Sequence, residues 1–287
     1  MFIKEVVGKT GLTKKAVIYY ISKGLISPET LENGYRNFSK EDIEKLEKIS
    51  ILRSLGIGIQ DIKEIISSNS NEILQKISVQ KEIENELEAK KQNIIKSLCE
   101  GKKLEDVKKE IETLNAKKSI LERMLDSFPG YYGRFISLYF SRFLNEPVES
   151  EEQEKALSDM IDFLDNVPEF NMPEELQEYL FKMTENVGIS QIEGMIDKKM
   201  EVIENYEEFI EENKEILCTY LEFKKTEEYK NSKAYRIMEY MKEFNATSGY
   251  NDIFIPLMKK LSKSYLEHYK KIEKANEKFL EKYSDYF

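Results

Sequence analysis

The chain has 287 residues and a net charge of −10, with 34% charged and 40% hydrophobic residues. It contains only 12 glycines and 6 prolines, and such a composition is typical of a mostly α-helical protein built from two or three units. No apolar run reaches the length of a membrane span, and the first residues lack the apolar stretch of a signal peptide. We therefore expect a cytoplasmic protein with no membrane partner.

Cys99 and Cys218 lie far apart, so we expect no disulfide framework, metal site or cofactor.

Charge is distributed unevenly along the chain. Residues 1–70 carry a net charge of +2, residues 71–126 are neutral, and residues 127–287 carry −12. The negative net charge of the whole chain argues against a protein that binds nucleic acid over a large basic surface, but it is compatible with a small nucleic-acid-binding module at the N-terminus.

The first 39 residues predict two short helices and a β-hairpin. Thr13 is placed to cap the second helix, whose inner face carries Ala16, Val17, Tyr20 and Ile21. Leu25 and Ile26 are predicted to pair with residues 35–38 across the Asn33-Gly34 turn. The result is a helix-turn-helix followed by a small β wing.

These residues resemble the DNA-binding domain of the MerR family of transcription regulators. The similarity lies in IKEVVGKTGLTKKAVIYYISKGLISP and in ENGYRNFSKEDIEKLEKISILRSLGIGIQDIKEII. It implies a dimer that places one helix in each of two major grooves and grips the flanking backbone with the wing. It also implies a promoter with an overlong spacer, which the protein distorts so that RNA polymerase can engage it.

The DNA-binding residues that we predict lie on the second helix and the wing, where they provide hydrogen-bond donors for phosphate. They are Thr13, Lys14, Lys15, Tyr19, Tyr20, Lys23, Tyr35 and Arg36. The alternation of side chains along the wing strand does not decide which side faces DNA, whereas the resemblance points to Tyr35 and Arg36. The family usually has arginine before the two tyrosines, where this chain has Ile18, which can touch a thymine methyl group but cannot bind phosphate.

Residues 71–126 form a predicted dimerisation or linker segment with two apolar stripes that are out of phase. A bend or a hairpin near Gly101 fits them better than one unbroken helix. The first stripe is predicted to join two copies through Ile77, Ile83, Leu87 and Ile94, and the alternative is an intramolecular helical pair.

Residues 127–287 predict an all-helical domain rich in tyrosine, with single long helical patterns at 189–225 and 250–285. The helix at 131–145 carries more aromatic residues than one buried stripe can use. One interpretation is a tyrosine-rich core, and the other is an effector pocket for a small aromatic or cationic compound. The residues of this candidate pocket are Tyr131, Tyr132, Phe135, Tyr139 and Phe143. His268, the single histidine, is predicted to be a solvated helix residue.

The sequence thus predicts a mostly α fold: a winged helix-turn-helix at 1–70, dimerisation helices at 71–126 and an all-α domain at 127–287. The first functional hypothesis is a homodimeric regulator that binds double-stranded promoter DNA and senses a small-molecule effector. The alternative is a DNA-tethered regulator whose C-terminal domain docks a protein. An enzyme ranks last, because phosphate loops, metal clusters and nucleophile motifs are missing from the sequence.

Overall fold

The structure is a computed structural model that describes residues 1–68, 71–128, 130–168, 170 and 172–286. The chain folds as two compact units, Met1–Ile77 and Ser78–Phe287. The predicted boundary at residue 70 adjoins Asn69 and Ser70, which lie outside the described residues. The mostly α architecture with a small β wing is confirmed. None of the described helices combines the length and the apolar character that crossing a membrane requires.

The first unit contains four helices, a two-stranded sheet and the beginning of a long fifth helix. These elements are α1 (Ile3–Thr10), α2 (Lys14–Ser22), β1 (Glu29–Thr30), β2 (Arg36–Asn37), α3 (Lys40–Ser54), α4 (Ile59–Ser68) and α5 (Glu72–Cys99). Polar caps define two of the helix starts. Thr13 accepts a hydrogen bond from the backbone N–H of Ala16 at the start of α2, and Ser39 and Asp42 form a capping box at the start of α3.

The β wing is present, but its pairing differs from the prediction. Glu29 pairs with Asn37 and Thr30 with Arg36 in an antiparallel ladder, whereas Leu25 and Ile26 are buried in the core. The predicted pairing with Leu25 and Ile26 was therefore wrong, because these apolar side chains bury more surface in the core than they would in a two-stranded ribbon. The Asn33-Gly34 turn is correct. The side chain of Asn33 accepts the Tyr35 N–H at 3.1 Å, and Gly34 has a φ of 77°.

One apolar cluster holds the first unit together. Val6 of α1, Val17 and Tyr20 of α2, Leu46 of α3 and Ile62 of α4 all contribute to it. The inward face predicted for α2 is therefore the buried one, and the opposite face of the helix remains in solvent.

The second unit begins with a helical hairpin formed by the rest of α5 and by α6 (Leu104–Ser127). Gly101 lies between the two helices with a φ of 100°, a conformation that favours glycine. The apolar stripes of both helices belong to one buried cluster, so the segment is a hairpin and not one bent helix.

A buried lysine links the two arms of the hairpin. The side chain of Lys117 on α6 is only 1% exposed, and its ammonium donates to Glu86 of α5 at 2.9 Å and to Asn145 at 3.0 Å. Burial lowers the pKa of Lys117 below its usual value. Burial alone would raise the pKa of Glu86, but hydrogen bonds from Lys117 and Lys90 outweigh that effect and lower it.

The remaining regular structure described in the second unit is helical. The helices are α7 (Gly130–Ser141), α8 (Glu151–Asp165), α9 (Glu174–Thr184), α10 (Ile189–Glu204), α11 (Tyr206–Glu212), α12 (Lys214–Lys225), α13 (Glu227–Lys230), α14 (Lys233–Thr247), α15 (Ile255–Leu261) and α16 (Lys263–Lys282). A π-helical turn at Tyr250–Phe254 precedes α15, and a 3₁₀ turn at Ser284–Tyr286 follows α16.

Two of the long helical patterns are interrupted. The predicted helix at 189–225 breaks at Asn205 and Asn213, whose side chains bond the backbone carbonyls of Glu201 and Phe209 four residues earlier. The predicted helix at 250–285 breaks at Ser262, whose hydroxyl accepts the N–H of Tyr265 and starts α16.

Glu146 stabilises the start of α16 from a distant part of the chain. Its carboxylate accepts hydrogen bonds from the hydroxyls of Ser262 and Ser264 and from the backbone N–H groups of Lys263 and Ser264, at 2.6–2.9 Å. Burial alone would raise the pKa of Glu146, but these hydrogen bonds lower it below its usual value.

We predict that Glu86→Leu destabilises the hairpin by about 2 to 3 kcal/mol, because it leaves the buried Lys117 ammonium without a counter-charge. This cost is below that of a fully buried pair because Glu86 is itself 41% exposed. Adding Lys117→Met should restore much of the stability. Urea unfolding followed by circular dichroism measures the change. Glu88→Leu, at an exposed glutamate two residues further along α5, is the control, and equal effects of the two single variants would contradict the prediction.

We further predict that Glu146→Gln lowers stability at neutral pH by about 1 to 2 kcal/mol, through loss of the anion at the N-terminus of α16. A carboxyl whose pKa is lowered by folding contributes stability above its unfolded pKa and loses it as the pH falls through the folded pKa. The wild type and the variant should therefore converge in thermal melts below about pH 4. Glu149→Gln should leave the pH profile unchanged, and a constant gap between wild type and Glu146→Gln would refute this account.

Candidate nucleic-acid interface

The exposed face of α2 carries most of the predicted DNA-binding residues. Lys14, Lys15, Tyr19 and Lys23 are exposed, and the Lys23 ammonium lies 5.6 Å from the centre of the Tyr19 ring. This contact places a cation over the aromatic ring, and both the ammonium and the Tyr19 hydroxyl can donate to phosphate.

Two predicted residues occupy structural positions. The Thr13 hydroxyl oxygen accepts the N–H of Ala16 at 3.1 Å, so it caps α2 and sets where the helix begins. Tyr20 is buried in the core of the first unit, with its ring 6.0 Å from that of Tyr19. Tyr20 therefore positions the exposed tyrosine beside it.

The wing presents the other two predicted residues. Tyr35 is 65% exposed, and its ring meets that of Phe2 edge to face at 6.2 Å. Arg36 is exposed on β2 and pairs across the sheet with Thr30. The N-terminal ammonium of Met1 donates to the backbone oxygen of Phe38 at 2.7 Å, which draws the start of α1 to the wing.

The wing and α2 enclose a groove of about 640 Å³. Its walls are formed by Phe2, Ile3, Lys4, Lys14, Ile18, Thr30, Asn33, Gly34, Tyr35 and Arg36. Three of these residues are basic and none is acidic, so the groove attracts an anion even though the whole chain is acidic. Two of its apolar side chains, Phe2 and Ile18, are also exposed.

The structure thus brings Lys14, Tyr35 and Arg36 together around one groove, while Lys15, Tyr19 and Lys23 lie on the adjoining exposed face of α2. Sequence reasoning missed Phe2 as part of this surface. The edge-to-face contact with Tyr35 depends on the N-terminus pairing with the wing, and this pairing has no local sequence signal.

The four residues predicted to join two copies are buried within one chain. Ile77 packs in the cluster of the first unit, and Ile83, Leu87 and Ile94 pack in the cluster of the second unit. Their apolar surfaces are therefore covered without a second copy. Dimerisation through residues 71–99 stays a prediction.

The five residues of the candidate effector pocket all belong to the core cluster of the second unit or pack against it. Tyr139 and Phe143 are buried, whereas Tyr131, Tyr132 and Phe135 are half-buried. Phe135 and Tyr139 stack with their planes 8° apart, and the Lys199 ammonium lies 5.9 Å and 4.8 Å from the centres of their rings. A cation of this chain thus already lies on the aromatic cluster.

His268 is buried, so the prediction that it is solvated was wrong. Its Nε2 lies 2.8 Å from the Tyr139 hydroxyl, and its ring stacks on Phe143. Burial lowers the pKa of His268, and the charge of Lys199 adds to this effect. Burial also raises the pKa of Tyr139 to about 12. The three-residue spacing between His268 and the buried Tyr265 was the available signal, since both lie on one face of α16.

Comparison with known proteins finds a family match within the first unit. Residues 1–69 match the sequence model of the MerR HTH family regulatory protein. HTH-type transcriptional regulator YfmP of Bacillus subtilis is 28% identical over 136 residues, which are 47% of this chain and 86% of that protein.

Two further relatives match a shorter stretch. HTH-type transcriptional regulator CueR of Salmonella typhimurium is 35% identical over 68 residues, or 23% of this chain and 49% of that protein. HTH-type transcriptional regulator HmrR of Rhizobium leguminosarum is 34% identical over 67 residues, or 23% and 52% of the two chains. The chain thus spans about half the length of these two relatives. No solved structure matches it significantly.

Proposed function

Since residues 1–69 form a MerR-family helix-turn-helix domain, we propose that this protein is a dimeric, sequence-specific regulator of transcription. It binds double-stranded promoter DNA in the cytoplasm, and it is not an enzyme. The observation that carries the proposal is the groove between α2 and the wing. Lys14 of α2 and Arg36 of the wing line this groove, and no acidic residue does.

The geometry suits the phosphate backbone of duplex DNA. A helix of the width of α2 fits the major groove of B-DNA, with its exposed face toward the base edges. The wing would then lie over the flanking backbone, where Arg36 and the Tyr35 hydroxyl donate to phosphate oxygens. Lys15 and Lys23 would bind phosphates on the other side of the helix.

Two copies acting on a two-fold symmetric site would explain how so small a basic surface selects one operator. Each copy supplies one α2 and one wing, so the number of phosphate contacts doubles. We propose residues 71–99 as the dimer segment. Because the apolar stripe of α5 is buried within one chain, the second copy would contact another face of α5, or the hairpin would open.

Regulation would act through the shape of the DNA. Binding across a promoter with an overlong spacer and distorting it would let RNA polymerase engage both promoter elements. The energy of that distortion depends on the flexibility of the spacer as well as on protein contacts. The names of the three relatives, each an HTH-type transcriptional regulator, support a role in regulating transcription.

For the second unit we propose effector sensing at the aromatic cluster of α7. The Lys199 ammonium, which lies over the rings of Phe135 and Tyr139, supports this proposal, because an ammonium group already contacts these rings. An aromatic cation that displaces Lys199 would gain the same contacts.

A protein-docking role is the second candidate for this unit. On α12 the side chains of Ile216, Tyr220 and Phe223 are exposed at spacings of four and three residues. They form an apolar face of the kind that partner helices cover.

We predict that Lys15→Ala or Arg36→Ala weakens DNA binding at least about five-fold per half-site, because each change removes a charge-assisted contact to phosphate. Each change should also reduce the slope of log affinity against log salt by about one per half-site. Fluorescence anisotropy with a two-fold symmetric duplex measures both quantities, and sedimentation gives the number of chains per duplex.

Lys48→Ala is the matched control, since Lys48 is exposed on α3 outside the groove. It should bind like the wild type. If both test variants bind with wild-type affinity, the interface is not the one described. A complex with one chain per duplex would exclude the dimer.

We also predict that tetraphenylphosphonium, an aromatic cation, raises the melting temperature of the full chain. A ligand at about 100 times its Kd adds about 2.7 kcal/mol of stability. Phe135→Leu should abolish the shift, whereas Phe209→Leu, at a half-buried phenylalanine outside the cluster, should preserve it. An unchanged shift in Phe135→Leu would place cation binding elsewhere, and no shift in the wild type would favour the docking role.

A further inference from the structure

Ile18 is an apolar side chain on the otherwise polar face of α2. It is 41% exposed, whereas its neighbour Val17 is fully buried. Lys14 lies one turn before it on the same face. An isoleucine at this position adds little to the core, since the inward positions of α2 are already filled by Val17 and Tyr20.

Ile18 would contact any molecule that enters the groove between α2 and the wing. Its side chain lines the 640 Å³ groove together with Lys14, Tyr35 and Arg36. The cations, Lys4 of α1, Lys14 of α2 and Arg36 of the wing, lie on the walls of the groove, so they would meet the anionic part of the occupant. Ile18 has no hydrogen-bonding group, so it needs an apolar part of that occupant.

Duplex DNA presents one such apolar group in its major groove, the C5-methyl group of thymine. Cytosine, adenine and guanine carry no methyl group on that edge, and their donors and acceptors there would lose hydrogen-bond partners next to a buried isoleucine methyl. The distinction between thymine and the other bases is therefore one that an isoleucine can make.

We propose that Ile18 is a specificity-determining residue that reads the methyl group of a thymine in each half-site of the operator. This inference rests on the proposed function, because it assumes that α2 enters the major groove. Phosphate binding is then left to the basic residues of α2 and the wing and to the Tyr35 hydroxyl, and the contact of Ile18 adds sequence preference without adding charge.

The test begins with duplexes that the full-length wild type selects from a random library. In each selected duplex every thymine is replaced in turn by deoxyuridine, which keeps the base pair and removes only the C5-methyl group. We expect one thymine position in each half-site to be sensitive. Replacing that single thymine should weaken wild-type binding about four-fold, the effect of losing one buried methyl group.

Ile18→Ala separates a direct contact from a change in DNA shape. Removing a methyl group also alters DNA stiffness, and that effect would persist in any variant. A direct contact predicts that Ile18→Ala binds methylated and unmethylated duplexes equally, because the partner of the methyl group is gone. Ile51→Ala is the control, since Ile51 is an exposed isoleucine of α3 outside the groove, and it should respond to deoxyuridine as the wild type does.

The possible outcomes separate this inference from the function on which it rests. Deoxyuridine sensitivity in the wild type and in Ile51→Ala, together with its loss in Ile18→Ala, supports the inference. Selected duplexes that show no sensitivity, or the same sensitivity in Ile18→Ala, overturn it and leave DNA binding intact. If no duplex is enriched, both the inference and the proposed function fail.

Discussion

The ammonium of Lys117 constrains how the second unit can pack. A buried charge without a partner costs several kcal/mol, so α5 and α6 must meet in the register that places Glu86 and Asn145 beside this ammonium. In that register Ile83, Leu87 and Ile94 face the core. The outward face of α5 is then polar, with Glu84 and Glu88 exposed. A dimer built on residues 71–99 therefore requires either opening of the hairpin or contact near its far end.

The far end of the hairpin has the necessary surface. Ile95 is 58% exposed and Leu104 is 76% exposed, on the two arms that flank the Gly101 turn. Covering these two side chains would remove apolar surface from water. If residues 71–99 join two copies, a two-fold contact between the tips of two hairpins would therefore cover Ile95 and Leu104.

How much could be read from the sequence depended on whether a signal was local. The start of α2 at Thr13, the capping box at Ser39 and the turn at Gly34 follow from neighbouring residues, and the structure contains them. The pairing of the wing strands, the burial of His268 and the position of Lys199 depend on residues tens of positions away. The breaks at Asn205 and Asn213 were missed for another reason. The apolar period continues across both positions and predicts one helix, whereas the asparagine side chains compete for backbone hydrogen bonds and favour helix ends.

Ile18 also bears on how the binding free energy would be divided between affinity and specificity. A phosphate contact strengthens binding to every duplex equally and weakens as salt rises. A contact with a base edge strengthens binding to one sequence only and is almost independent of salt. Where the resemblance leads one to expect arginine, isoleucine removes a contribution of the first kind and adds one of the second. The acidic remainder of the chain acts in the same direction, because its net charge of −12 over residues 127–287 opposes nonspecific attraction to DNA. The lost phosphate contact and the acidic charge would lower the affinity for every duplex alike, so only the proposed contact of Ile18 with a base edge would favour the operator over random DNA.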